Sequence, residues 1–105
     1  MSKNGIIIKD DSQDTYVSVQ EICVLCHLSE NELRIYIEQA IVEPENSMTD
    51  QEVKFTLQQM QRLQKALRLE RDLQVNHEGS AIILTLLEEL EELRTRLQIF
   101  ERHYK

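Results

Sequence analysis

Glycine and proline are almost missing from this chain. Two Gly and one Pro in 105 residues leave little material for tight turns, which points to long helices joined by short connectors. Tryptophan is absent and aromatic residues make up only 5%, so aliphatic side chains must fill the core. No run approaches the roughly 18 uncharged apolar residues of a helical membrane span. The stretch Met1–Asp11 has no apolar region of signal-peptide length, so the cytoplasm is the expected compartment, with Cys23 and Cys26 reduced. Two glycines cannot build a phosphate-binding loop. The carboxylates lie beside Lys and Arg as on a solvated helix surface. The chain therefore reads as non-enzymatic.

What is present is a globular balance. Hydrophobic residues make up 41% and charged residues 30%, and the length suits one domain with a modest core. Net charge is −7, which repels phosphates and attracts basic partners.

Helix signals organise the chain. Ile6-Ile7-Ile8 and Thr15-Tyr16-Val17 are β-like and give residues 1–17 as a strand or ribbon segment. Ser18 with Glu21 and Ser29 with Glu32 are two capping boxes, each opening a helix. Ile22, Leu25 and Cys26 share one face of the first helix; Leu33, Tyr36, Ile37 and Ala40 share one face of the second. About three residues separate the two, the spacing of a helix-turn-helix over residues 18–48. Pro44 ends it, and residues 43–48 read as a connector or remnant wing. Thr49 with Glu52 forms a third capping box, opening a helix that carries Val53, Leu57, Met60, Leu63, Leu67 and Leu73 to about Val75. Asn76–Ser80, with Gly79, breaks it. The last helix carries Ile83, Leu86, Leu90, Leu93, Leu97, Phe100 and Tyr104 at alternating spacings of three and four, a heptad seam suited to homodimerisation. Ile82 and Leu87 widen the stripe where it would pack on the body. Residues 49–105 thus read as a helical hairpin and dimerisation region.

Cys23-Val24-Leu25-Cys26-His27 fits the Cys-x-x-Cys-His pattern of c-type haem attachment, but that chemistry needs export, and the segment reads as a core helix. Zinc needs two further ligands, and only His77 and His103 remain, unpaired. No metal or other cofactor is expected.

The head must be tested against DNA. A recognition helix over Glu30–Ala40 would need Arg, Lys, Asn or Gln for bases and phosphates. Residues 18–48 instead hold the acids Glu21, Glu30, Glu32, Glu38, Glu43 and Glu45 against one base, Arg34. Such a face cannot release counterions from DNA. The basic residues Lys54, Arg62, Lys65, Arg68 and Arg71 are diluted by Glu70 and Asp72 and read as a mixed solvated face. Two acidic surfaces stand out as docking candidates for a basic helix: Glu30, Glu32 and Glu38 with Arg34 on the head, and Glu88, Glu89, Glu91 and Glu92 on the last helix. The seam residues Leu86, Leu90, Leu93, Leu97 and Phe100 are the dimerisation candidates.

Several segments, in order, carry a family resemblance: Val17–Cys23, Leu28–Leu33, Ile41-Val42-Glu43-Pro44, Lys65–Leu69, Leu73–Gly79 and Ile83–Leu87. Over about residues 15–100 the chain resembles the CbpM chaperone modulators of the MerR-like group. The resemblance implies a partner, the J-domain of a CbpA/DnaJ-like co-chaperone. It also implies inhibition of that co-chaperone's action with Hsp70 (DnaK) and of its DNA binding. J-domains present a basic helix to Hsp70, which an acidic modulator can cover. The family often has Gly where this chain has Ala40, and a bulky apolar residue near His77. The rival reading is a MerR-like DNA-binding transcription regulator, supported by fold analogy alone. The expected fold is mainly α: a MerR-like helix-turn-helix head, a long helix and a C-terminal coiled-coil-type helix, with a short N-terminal β-ribbon.

Overall fold

A computed structural model describes residues 15–46 and 52–103. Among them are four helices and one two-stranded sheet, in the order β1 (Tyr16–Ser18), α1 (Val19–Cys26), α2 (Glu30–Glu38), β2 (Lys54–Thr56), α3 (Leu57–Leu73) and α4 (His77–His103). The mainly α expectation holds, and so does the ribbon. Its strand β1 pairs antiparallel with β2, Val17 opposite Phe55. The Ile6-Ile7-Ile8 run lies outside the described residues.

Both capping boxes of the head form. Ser18 Oγ accepts the Glu21 amide at 3.1 Å while Glu21 accepts the Ser18 amide at 2.7 Å. Ser29 and Glu32 repeat the pattern at 3.1 and 2.8 Å. Each box satisfies two amides that a helix start leaves without partners. The turn between α1 and α2 is tight because His27 takes a left-handed conformation, φ 60°, and the Leu28 amide reaches back to the Cys23 carbonyl at 2.9 Å.

Four expectations are corrected. The third helix does not start near Thr49, which itself lies outside the described residues. Val53 precedes a strand, and α3 begins at Leu57, capped by Thr56, whose Oγ1 accepts the Gln59 amide at 3.1 Å. Ala40 is not on the inner face of α2. It follows the helix with φ 60°, exposed, while its neighbours Ile41 and Val42 are buried. Gly79 does not break the chain but lies in the first turn of α4, where its amide donates to Asn76 Oδ1 at 2.7 Å. A Cβ there would stand 3.0 Å from that oxygen and 3.2 Å from Val75 Cβ, so a larger residue makes the capping side chain and Val75 give by a few tenths of an ångström. Finally, Ile82 does not pack on the body; it is 62% exposed, and Ser80 and Leu84 are the residues of α4 that are buried.

The core is continuous across these elements. Val17 and Phe55 of the sheet meet Ile22 and Cys26 of α1, Leu33 and Tyr36 of α2, Ile41 and Val42, then Met60, Leu63 and Ala66 of α3 and Leu84 of α4. Residues 45–46 run beside β2: the Glu45 amide donates to the Lys54 carbonyl at 2.7 Å, and the Lys54 amide to Asn46 Oδ1 at 3.1 Å. The segment after α2 is therefore held to the sheet at residues 45–46. Helices α3 and α4 are antiparallel, since Arg62 meets Glu88 while Glu70 meets Ser80. At about 1.5 Å per residue, α4 is roughly 15 Å longer than α3 and runs on past its start.

Candidate functional site

The acidic head face is built on α2. Glu30, Glu32, Arg34 and Glu38 are all exposed. Glu32 is committed to capping, so its carboxylate is fixed over the start of its own helix. Glu30, Arg34 and Glu38 make no ion pair with another described residue. Val24, at the end of α1, is 70% exposed and adds apolar area to the head. The face is thus an open acidic surface with a single cation, at the position where a DNA reader carries its base-contacting residues.

The acids of α4 are placed differently. Glu88 is held by Arg62, with Nε to Oε2 at 2.6 Å and Nη2 to Oε1 at 3.0 Å. The same guanidinium donates through Nη1 to the carbonyls of Ala40 at 2.9 Å and Ile41 at 2.5 Å. One arginine on α3 therefore ties the end of α2 to α4. Its hydrogen bond, with its charge and that of Lys65, holds the Glu88 carboxyl below its ordinary value against the opposing effect of burial. Glu91 and Glu92 lie 3.9 and 3.7 Å from Arg94 and Arg96 on their own helix, pairs of small worth at an exposed surface. Glu89 is exposed and has no ion pair among the described residues. The four acids of α4 therefore do not form one open face.

A second polar cluster joins three helices. Glu70 of α3 accepts the Tyr36 hydroxyl from α2 through Oε1 at 2.7 Å and the Ser80 hydroxyl from α4 through Oε2 at 2.7 Å. His77 Nδ1 stands 3.2 Å from the same Oε2, and its ring meets the Tyr36 ring edge-on at 4.8 Å. Burial, then the bond to Glu70 and the charges of Glu70 and Glu32, push the Tyr36 phenol well above its usual range. The sequence does carry a signal for this cluster. Glu70 falls on the stripe of Met60, Leu63 and Ala66 at helical spacing, and a carboxylate on an apolar stripe must find bonded partners.

Cys23 and Cys26 are free and belong to the core. Burial, with Cys23 adding, pushes the Cys26 thiol up to about 11. Burial also raises the Cys23 thiol, assisted by Glu30 and Glu32. Both are poor nucleophiles in this setting. Among the described residues no group of three or more His, Cys, Asp or Glu is arranged to hold a metal ion, and no helix is long and apolar enough to cross a membrane.

The seam residues stand in the open. Leu86, Leu90, Leu93, Leu97 and Phe100 are each at least half exposed on α4. Leu87 and Leu90 also line a shallow groove with Lys65, Glu88, Glu91 and Arg94.

Two short helices around a tight turn, a two-stranded sheet and a helical hairpin define a protein of the MerR helix-turn-helix class. The model of the MerR HTH family regulatory proteins matches residues 17–102. Proteins of Coxiella burnetii strains Dugway and Henzerling II, each named "Chaperone modulatory protein CbpM", are 34% identical over 98 residues, covering 93% of this chain and 89% of theirs. The chain belongs to the CbpM family within that class.

Proposed function

We propose that this chain is a non-catalytic chaperone modulator that binds the J-domain of a CbpA/DnaJ-like co-chaperone. By covering the basic helix of the J-domain it blocks productive docking on Hsp70 (DnaK), and it also opposes DNA binding by the co-chaperone. It acts as a homodimer and binds no nucleic acid itself. The observation that carries this reading is the recognition helix: Glu30 and Glu38 lie exposed on a helix-turn-helix head whose residues 18–46 hold one base, Arg34. Such a face repels a phosphate backbone and complements a Lys/Arg-rich helix.

Of the two acidic surfaces the head is the better docking face. Glu88 is already bonded to Arg62, and Glu91 and Glu92 have Arg94 and Arg96 beside them. The test measures association with a purified CbpA-type J-domain. Glu30→Lys/Glu38→Lys should slow association about tenfold and flatten its salt dependence, while Glu91→Lys/Glu92→Lys has a smaller effect. Unchanged rates in both variants would sink the electrostatic proposal. Tight, salt-sensitive DNA binding by the unmodified chain would favour a transcription regulator instead.

A further inference from the structure

One apolar side chain of α2 stands on the wrong side of its helix for a core residue. Leu33 and Tyr36 are buried, and Ile37 packs against the same core. Ile35 lies about 160° round the helix from Leu33 and about 100° from Tyr36. It is 37% exposed and takes no part in the core. A single apolar residue on a surface is ordinary. What surrounds this one is not.

At helical spacings of three and four, Ile35 is ringed by Asn31, Glu32, Glu38 and Gln39. Glu32 is tied to its own cap, and Glu38 has no ion pair among the described residues. The helix therefore offers one branched apolar side chain inside a polar, net acidic ring. The ring occupies the helix from which a helix-turn-helix reads bases. A base edge or a thymine methyl lies between phosphates, which the acids of the ring repel. A basic protein helix fits where DNA does not. Its Lys and Arg side chains reach the acids while an apolar side chain between them meets Ile35.

We infer that Ile35 is the apolar anchor of the head's docking face, and that its counterpart is an apolar side chain flanked by Lys or Arg on the partner's basic helix. The two kinds of residue do different things. Acids act at a distance, so they govern the rate of encounter. Ile35 acts only in contact, so it governs how long the complex lasts. An apolar contact closed off from water by a polar rim is where the energy of an interface concentrates.

The inference rests on the J-domain reading proposed above and names the residue that gives that face its hold. Biolayer interferometry of the full chain with a purified CbpA-type J-domain supplies both rate constants. Ile35→Ala should raise the dissociation rate about tenfold and change the association rate less than about twofold, at an unchanged salt slope. Alanine favours helix, so the melting temperature should hold. Ile35→Leu restores the apolar bulk and should bring dissociation back to within about threefold. Val24→Ala removes the other exposed large apolar side chain of the head and should leave both rates unchanged. Dissociation unchanged by Ile35→Ala, or an equal loss in Val24→Ala, would overturn the anchor and leave J-domain binding standing. Slower association with a shifted salt slope would overturn it too, because Ile35 would then act only through the charges around it. No J-domain binding by the unsubstituted chain would remove the underlying reading, and the anchor with it.

Discussion

Ala40 holds a conformation that alanine disfavours. After α2 the Ala40 amide donates to the Ile37 carbonyl and the Ile41 amide to the Tyr36 carbonyl, both at 3.0 Å, closing the helix with Ala40 at φ 60°. A Cβ in that region costs roughly 1–2 kcal/mol. Glycine removes the cost but adds roughly 0.4–1 kcal/mol of unfolded-state freedom. The strain term is the larger, so Ala40→Gly should stabilise the protein by about 0.5–1 kcal/mol, read as a higher denaturant midpoint at unchanged slope. A lower midpoint would mean that the carbonyl bonded by Arg62 had moved. The geometry accounts for the glycine that the family resemblance puts at this position: only the backbone conformation demands it.

At the scale of the element, local chemistry and distant pairing divide the chain. Helices α1 and α2 are legible because the two members of each capping box lie within four residues of each other and the apolar faces repeat. The start of α3 is misread because β2 is only three residues long and exists through Phe55 packing and pairing with Tyr16–Ser18, about 38 residues away. No local pattern marks such a strand, so the cap signal at Thr49 outcompetes the one at Thr56. The second signal was nonetheless there, as Thr56 followed by Gln59. Thr56→Ala should cost about 1 kcal/mol, measured as a loss of thermal or denaturant stability. The heptad stripe of α4 misleads in another way. It draws the eye to the exposed face and away from Ser80 and Leu84, which hold the helix to the body. On the site, the acids were legible by composition, but the capture of Glu88 by Arg62 was not, because it joins residues 26 apart on different helices.

Across the whole molecule the Arg62 clamp makes stability depend on acid. Glu88 has a carboxyl held below its ordinary value of 4.5 by Arg62. A depressed folded value means that the clamp contributes fully above the unfolded carboxyl range and is lost as pH falls through the folded value. Wild type should therefore be more stable than Glu88→Gln near pH 6, and the gap should close by about pH 3. Thermal melts at the two pH values check this, and a gap that widens in acid would contradict the clamp. Glu88 is partly exposed, so the difference is small beside a core substitution.

The Glu70 cluster has a consequence for how this architecture can change over generations. A DNA-binding head is often portable, joined to its effector by a hinge. Here one carboxylate receives hydroxyls from α2 and from α4 while sitting on α3. Cutting the head away takes the Tyr36 hydroxyl from Glu70, which keeps only its Ser80 bond, and uncovers the Tyr36 ring that packs in the shared core. The head is thereby welded to the hairpin that presents the seam. Recombination can exchange the molecule whole, but it cannot transplant the acidic helix alone.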